Sequence, residues 1–280
     1  IMNKNILRTA CVPALAAVFI LQSCSLDETN PGGFTMENMA SNSTDSYQTL
    51  INQTYFGMER FLYGTDGFME LTEGDTDLWT YRANMDNSYT QYFWFSAGAS
   101  PNTTYINGIW NSIYDGIGSC NSAISLARDV PFKTADERNQ KVAIARFMRA
   151  VYYFNAVEQF GGVTMITEPA TGMDFSPTRT EPLTIYEKVI IPDLEFAAEW
   201  LEKGNDATTT TPTKKAALGM LAKACLQTYE YGTTDYLSEA LDCSKKLIAD
   251  CEAGGGTYGA YMYPTDAEVF KEDNNFENKE

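Results

Sequence analysis

The sequence predicts a mainly α-helical protein in which consecutive amphipathic helices pack as pairs. Apolar residues recur at helical spacing from residue 103 to residue 128, and a second run, from Thr134 to Gly162, is apolar around much of its helical circumference. Further helical patterns follow after short connections. Helices joined by short loops pack against each other in antiparallel pairs. The pattern is typical of helical-pair repeats such as tetratricopeptide units, although no strict sequence period is visible.

The first two helices flank a loop-rich stretch. A first helix is expected from about Thr44 to Leu62, with an apolar face made by Tyr47, Leu50, Ile51 and Tyr55. Glycine and proline residues interrupt the chain repeatedly from Tyr63 to Asn102, which predicts loops. Thr103 to Arg128 is the clearest amphipathic helix, with a stripe formed by Ile106, Trp110, Ile113, Ile117, Cys120 and Ile124. Asn121 lies beside this stripe, and we expect its side chain to satisfy backbone groups at a helix contact.

The run from Thr134 to Gly162 is expected to be the central helix. Thr134 and Glu137 form a capping box, in which each side chain accepts a hydrogen bond from a free backbone N–H. Gly161 and Gly162 supply the left-handed residue that commonly ends a helix. The apolar residues between them form a broad face made by Ala143, Phe147, Met148, Ala150, Val151, Tyr152, Tyr153, Phe154 and Val157. A face this wide packs on more than one neighbour.

Arg149 lies within the apolar face of the central helix. A buried guanidinium needs a carboxylate or carbonyl partner to offset its lost hydration. We expect a structural ion pair that locks neighbouring helices together, and the alternative is an anion-binding site. Arg146 is expected to be solvated.

Three more helices are expected after a loop from Pro169 to Thr180. The first, from Pro182 to Lys203, should be kinked by Pro192 and bury Tyr186, Val189, Ile190, Ala197 and Leu201. The second should be capped by Thr211, with Pro212 at its first position, and end at Gly232. The third, from Asp235 to Cys251, should pack through Leu237, Ala240, Leu241, Leu247, Ile248 and Cys251.

Composition excludes several kinds of function. The formal net charge is −17, which argues against nucleic-acid binding because phosphate contacts need clustered cations. The chain has no histidine, so imidazole metal sites and Ser–His or Cys–His nucleophile pairs are excluded. No CxxC motif occurs, and Cys120, Cys225, Cys243 and Cys251 are expected to be small buried apolar residues rather than disulfide partners. We expect neither a metal site nor a cofactor.

The N-terminus is expected to be a secretory signal followed by a lipidation site. Lys4 and Arg8 precede an apolar run from Cys11 to Leu21 that is too short to span a membrane. The sequence Leu21-Gln22-Ser23-Cys24 resembles a bacterial lipobox, in which Cys24 would be the acylated first residue of the mature protein. The alternative is ordinary cleavage with Cys24 incidental. The expected organisation is a signal peptide over 1–23, a lipidated tether over 24–41 and a helical domain over 42–280.

The best candidate for ligand binding is an aromatic stretch within the loop-rich segment. Trp79, Tyr81, Arg82 and Asn84 combine rings with planar polar groups. Sugars present apolar C–H faces that stack on aromatic rings, and their hydroxyls need amide, carboxylate or guanidinium partners. The alternative is a short strand packed on the helices, which the alternation of residues 92–95 favours for Trp94.

An acidic run in the same segment has three interpretations. Glu70, Glu73, Asp75 and Asp77 could supply a glycosidase carboxylate pair or a calcium loop. Asp75 and Asp77 lack the remaining ligands and the glycine of an EF-hand loop. We assign the run to solvation. The string Gly254-x-Gly256-x-x-Gly259 follows a helix rather than a strand, so we interpret it as a loop and not as a dinucleotide site.

Several motifs occur in an order that resembles the SusD/RagB family of outer-membrane lipoproteins. They are Trp110-x-x-x-Tyr114-x-x-Ile117-x-x-x-Asn121, Arg146-Phe-Met-Arg149-Ala150-x-Tyr152-Tyr153-Phe154, Phe160-Gly161-Gly162, Asp193-Leu194-x-x-Ala197 and Thr213-Lys214-x-Ala216-Ala217. The resemblance implies tetratricopeptide-like helical pairs with an irregular aromatic loop region that binds glycan outside the cell. It also implies a lipid anchor at Cys24 in the outer membrane, a SusC-like TonB-dependent porin as partner, and a stacking role for Trp79.

The function that this resemblance implies is capture of oligosaccharide at the cell surface without catalysis, for delivery to the porin. The alternatives are a protein-interaction scaffold or a RagB-like peptide-binding lipoprotein without a sugar site. A carboxylate-based glycoside hydrolase is a third hypothesis. Because the chain stops at the polar residues Asn278-Lys279-Glu280 whereas family members continue further, we expect the sequence to be the N-terminal part of a longer protein.

Overall fold

A computed structural model describes residues 43–58, 72, 73, 76, 104–170, 172, 176–204 and 210–270. The α-helices of these ranges are α1 (Thr44–Gln53), α2 (Thr104–Leu126), α3 (Ala135–Phe160), α4 (Pro182–Ile185), α5 (Ile191–Trp200), α6 (Lys214–Gln227), α7 (Leu237–Glu252) and α8 (Asp266–Val269). Short 3₁₀ turns cover Phe56–Met58 and Thr228–Tyr231, and a π-helical turn, Tyr186–Ile190, joins α4 to α5. The mainly helical prediction is confirmed.

The longer helices, α1, α2, α3, α5, α6 and α7, pack in chain order, each on the one before it. The main contacts of the described residues join α1 to α2, α2 to α3, α3 to α5, α5 to α6, and α6 to α7. The pair α2 and α3 is antiparallel, because Trp110 near the start of α2 lies 5.1 Å from Phe160 at the end of α3, as measured between ring centroids. Within these ranges the extended pairing is one bridge between Val163 and Thr180. The predicted helical pairs are confirmed.

The helix α3 is central, as predicted. Its residues from Val142 to Val157 are almost all buried, because α2 covers one side and α5 another. At its start the Thr134 hydroxyl accepts from the Glu137 N–H at 3.1 Å, whereas the Glu137 carboxylate accepts from the Lys133 N–H at 3.0 Å. The first bond of the predicted capping box is therefore present, and the second uses the N–H of Lys133 rather than that of Thr134. Gly161 ends the helix at φ 68°, in the left-handed region.

The helix α1 is shorter than predicted. It ends at Gln53, where the Thr54 hydroxyl donates to the Ile51 carbonyl at 2.6 Å, and a 3₁₀ turn then extends to Met58. A side chain that bonds to the helix backbone in this way competes with further helical turns. Residues 59–62 of the expected helix lie outside the described ranges.

A π-helical turn precedes Pro192, where a simple kink was predicted. A proline has no N–H to continue the α-helical ladder. Just before it, the Ile191 N–H donates to the Tyr186 carbonyl in a π-type turn. This wider turn keeps Ile185, Tyr186, Val189 and Ile190 all buried. The helical stretch then ends at Trp200, three residues earlier than predicted, with Leu201 extended but buried.

The start of α6 was predicted two residues too early. Thr213, not Thr211, is the N-cap, and its hydroxyl accepts from the Ala216 N–H at 3.4 Å. The Lys214 N–H donates to the Glu202 carbonyl at 2.8 Å, which ties this part of the chain to the end of the preceding helical stretch. That bond holds Lys214 in place as the first residue of α6, so Pro212 lies before the helix. Gly232 follows the 3₁₀ turn after α6 in a left-handed conformation, as the predicted stop required.

The predicted inner face of α7 is wrong at two positions. Leu241 and Ile248 are 54% and 59% exposed, whereas Ala240 and Cys243 are buried. Among the described residues α7 packs mainly on α6, so only a narrow stripe is covered. The four cysteines named above are unpaired, and three of them, Cys120, Cys225 and Cys243, are buried as small apolar residues. Burial raises the pKa of Cys243 to about 11.

The loop after α7 is organised by Asp250. Its carboxylate accepts from the backbone N–H groups of Thr257 at 2.7 Å, Tyr258 at 2.9 Å and Ala260 at 3.0 Å. Desolvation favours the neutral acid, but these three donors together hold the pKa of Asp250 below its usual value. The glycine string is therefore a loop, as expected, and the Asp250 carboxylate orders it. None of the described helices is long and apolar enough to cross a membrane.

Tyr152 packs closely against two glycines, Gly57 and Gly116. Its ring lies where a Cβ atom at Gly116 of α2 would be, and a Cβ at Gly57 would also meet this ring. The Tyr152 hydroxyl donates to the Thr54 carbonyl at 2.7 Å. One tyrosine thus joins α3 to α2 and to the end of α1.

We expect Gly116→Ala to lower the free energy of unfolding by about 1–3 kcal/mol, because the added methyl must displace a fully buried ring. Gly118→Ala is the matched control on the same helix, since nothing lies within 4 Å of its Cβ position. That change should instead stabilise by up to about 1 kcal/mol, through helix propensity. Urea unfolding of both variants measures the difference, and equal effects would contradict the packing described here.

Candidate functional site

A buried polar junction joins α2, α3 and α5. Arg149 on α3 donates from Nε to Asp193 Oδ2 at 2.7 Å and from Nη2 to Asp193 Oδ1 at 2.9 Å. Its Nη1 donates to Asn121 Oδ1 on α2 at 2.8 Å. Arg149 is 7% exposed and Asp193 2%. The structural ion pair expected for Arg149 is confirmed, and the guanidinium is engaged by protein groups rather than open to an anion.

The same junction fixes the extended chain that follows α3. Asn121 donates from Nδ2 to the carbonyls of Ile166 at 2.9 Å and Glu168 at 3.3 Å, and Arg149 Nη1 donates to the Thr167 carbonyl at 3.2 Å. Tyr153 adds a reciprocal pair with Ile166, donating to its carbonyl and accepting from its N–H. The role predicted for Asn121, pairing with backbone at a helix contact, is confirmed.

The charges of the junction depend on each other. Desolvation raises the pKa of the Asp193 carboxyl, and the bonds and charges of Arg149 and Arg146 oppose that rise. Desolvation also disfavours the charged guanidinium of Arg149, but its bonds to Asp193 leave the pKa of Arg149 raised. Each group is therefore held in its charged form mainly by the other.

Arg146 was expected to be solvated, and it is instead partly buried beside the junction. Its side chain is 31% exposed, its Nη1 lies 3.6 Å from Asp193 Oδ1, and its guanidinium carbon lies 4.3 Å from the centre of the Phe196 ring. Its Nε is buried with no hydrogen-bond partner in the described ranges. The Arg146 guanidinium therefore adds a second positive charge beside Asp193, on the more exposed side of the Arg149–Asp193 pair. Stacking on the Phe196 ring offsets part of the hydration that Arg146 loses.

A second polar cluster lies at the other end of α3 and was not predicted. Glu158 Oε1 accepts from the hydroxyls of Tyr186 at 2.8 Å and Tyr231 at 3.2 Å, and the two rings lie 5.5 Å apart. Burial first, and the nearby Glu158 charge second, raise the pKa of Tyr231 to about 12. The cluster places an exposed carboxylate beside a partly exposed aromatic ring. Glu158 and Tyr231 are far apart in sequence, so no local pattern could pair them.

The residues predicted to bind ligand fall outside the described ranges. These are Trp79, Tyr81, Arg82 and Asn84, and the lipidation residue Cys24 also lies outside them. From the acidic run only Glu73 is described, and its carbonyl accepts from the Thr76 hydroxyl at 2.7 Å. Over the described ranges no group of three or more acidic or cysteine side chains is placed to hold a metal ion.

Comparison with known proteins identifies one family that matches these helices. The SusD-like family model described as "Starch-binding associating with outer membrane" matches residues 34–226. A SusD-like protein of Bacteroides ovatus is 29% identical over 175 residues, which cover 60% of this chain and 31% of that protein.

Solved structures share the fold. A SusD superfamily protein from Parabacteroides distasonis superposes with a TM-score of 0.63 at 26% identity, covering 74% of this chain and 45% of its own. A laminarin-binding SusD-like protein superposes with a TM-score of 0.66 at 21% identity, covering 85% and 50% of the two chains. This chain therefore matches less than a third of the curated relative's length and at most half of these solved structures.

We expect Asp193→Leu and Arg149→Met each to lower the free energy of unfolding by about 3–5 kcal/mol, because each leaves an uncompensated buried charge. The double variant should lose clearly less than the sum of the two, since it leaves no unpaired charge between those positions. Urea unfolding of the four proteins completes the cycle. Additive losses would show that the two side chains do not act as a pair.

Proposed function

The chain belongs to the SusD-like family, and on that basis we propose that it is a surface lipoprotein that binds oligosaccharide without cleaving it. The observation that carries the proposal is the family match over residues 34–226, which includes α1 to α5, nearly all of α6 and the aromatic stretch around Trp79. The name of the laminarin-binding relative supports a glycan as the ligand. The captured oligosaccharide would pass to a SusC-like TonB-dependent porin.

Trp79 would supply the main contact. An indole ring offers the largest aromatic face for the C–H surface of a sugar, and Tyr81 adds a second ring nearby in sequence. Arg82 is a donor, and Asn84 is both a donor and an acceptor, so together they match the mixed demands of sugar hydroxyls. Recognition of this kind needs stacking and hydrogen bonds but no proton transfer.

The described residues that flank segment 59–103 pack on the helices and so support this role. On the incoming side, Gly57 lies directly against the Ser112 carbonyl of α2 and the Tyr152 ring of α3. On the outgoing side, α2 begins at Thr104 and packs along α3. These contacts fix the points at which that segment joins the packed helices.

Membrane attachment would come from lipid on Cys24 followed by the tether of residues 24–41. Several acyl chains on one cysteine would anchor the protein firmly, whereas a single chain binds only marginally. The family description associates the fold with the outer membrane and supports this location.

The test is affinity electrophoresis of the lipid-free protein against laminarin and a panel of other soluble glycans. Trp79→Ala should weaken retardation by the cognate glycan about tenfold or more, because an aromatic anchor dominates small interfaces. Tyr229→Ala is the control, since Tyr229 is an aromatic residue that is 62% exposed on the 3₁₀ turn after α6.

Three results would contradict the proposal. They are retardation by no glycan, retardation that Trp79→Ala leaves unchanged, and release of reducing sugar from a retarding glycan. The first result together with binding of unfolded peptides would favour a peptide-binding protein instead.

A further inference from the structure

A groove separates α3 from α6. The two helices run parallel, because each is antiparallel to α5: Tyr186, before α5, meets Glu158 near the end of α3, and the Lys214 N–H at the start of α6 meets the Glu202 carbonyl just after α5. Both helices pack on α5, which leaves a groove of about 500 Å³ between them. This volume is within the range of small-molecule sites in proteins.

The lining of the groove is mainly apolar. Phe147, Met148 and Val151 of α3 form one wall, and Met220 of α6 and Met58 from the 3₁₀ turn after α1 lie across from them. Methionine side chains are unbranched and polarizable, so they adapt to apolar ligands of different shapes. A bound ligand must therefore present an apolar body.

The residues that line the groove include few polar side chains. The Tyr55 hydroxyl is buried and has no hydrogen-bond partner among the described residues. Burial raises the pKa of Tyr55 to about 12, so the phenol remains a neutral donor near neutral pH. Because almost none of this hydroxyl is accessible to solvent, a ligand in the groove would contact the Tyr55 ring and not its hydroxyl.

Lys223 is the only charged residue among the described residues that line the groove. Its ammonium lies 5.1 Å from the centre of the Phe154 ring and forms no ion pair within the described ranges. The whole chain carries a net charge of −17, yet this lysine at the edge of an apolar groove has no acidic partner among the described residues. A lysine ammonium offers three donors and no acceptor.

We propose that this groove binds an amphiphile with an apolar body and a carboxylate, and that the Lys223 ammonium holds the carboxylate. A neutral oligosaccharide does not fit, because its many hydroxyls would need acceptors that this lining does not provide. The groove is therefore a second ligand site, distinct in chemistry from the sugar site proposed at Trp79.

The test is isothermal titration of the lipid-free protein with decanoate below its micelle concentration. Decanoate should bind with one site per chain, and 1-decanol, which has the same apolar chain without the charge, should bind about tenfold more weakly or not at all. Lys223→Met should weaken decanoate about tenfold and leave 1-decanol unchanged. Lys245→Met, on the exposed side of α7, is the matched charge control and should change neither affinity.

A second variant tests the position of the apolar chain. Ala216 lines the groove and is exposed, so Ala216→Trp should fill it without disturbing the core and should abolish decanoate binding. The proposal is overturned if decanoate does not bind, if Lys223→Met binds it as tightly as the unchanged protein, or if Ala216→Trp leaves it bound. Trp79→Ala should not affect decanoate, so failure of this site and failure of the sugar site are separate results.

Discussion

The buried pair of Arg149 and Asp193 is the interaction on which the rest of the fold depends. Two short hydrogen bonds join the pair across α3 and α5, and Asn121 extends it to α2. Charges this deeply buried are favourable only in one geometry, because the desolvation cost of each is offset mainly by the other. Three helices and the chain from Ile166 to Glu168 must therefore meet in a single arrangement.

The apolar contacts around this junction make the arrangement stiff. Tyr152 fills space that glycines leave open on α2 and on the turn after α1, and Tyr153 fixes the extended chain after α3. Close-packed interiors of this kind transmit strain rather than yield to it. The described helices therefore form a stiff support for the ligand-binding role proposed above.

Much of the fold could be predicted from the sequence because helical periodicity is a local signal. It identified α3 as central and predicted the burial of Arg149, since a charge within a wide apolar stripe has no route to solvent. The partner Asp193 lies on a later helix, and periodicity does not say which distant residues meet. For the same reason, the cluster of Glu158 with Tyr231 could not be predicted from the sequence. Periodicity also overstated the buried face of α7, because Leu241 and Ile248 fit the stripe although no described helix covers them. The sugar-binding prediction at Trp79 remains a prediction.

Native-state hydrogen exchange at α3 tests the central claim most directly. If the Arg149–Asp193 junction holds α2, α3 and α5 together, the amides of Tyr152, Tyr153 and Phe154 should exchange only through global unfolding. Their exchange free energies should then equal the free energy of unfolding measured in urea. Exchange of these amides through a local opening at a clearly lower free energy, with the rest of the protein still folded, would contradict the account.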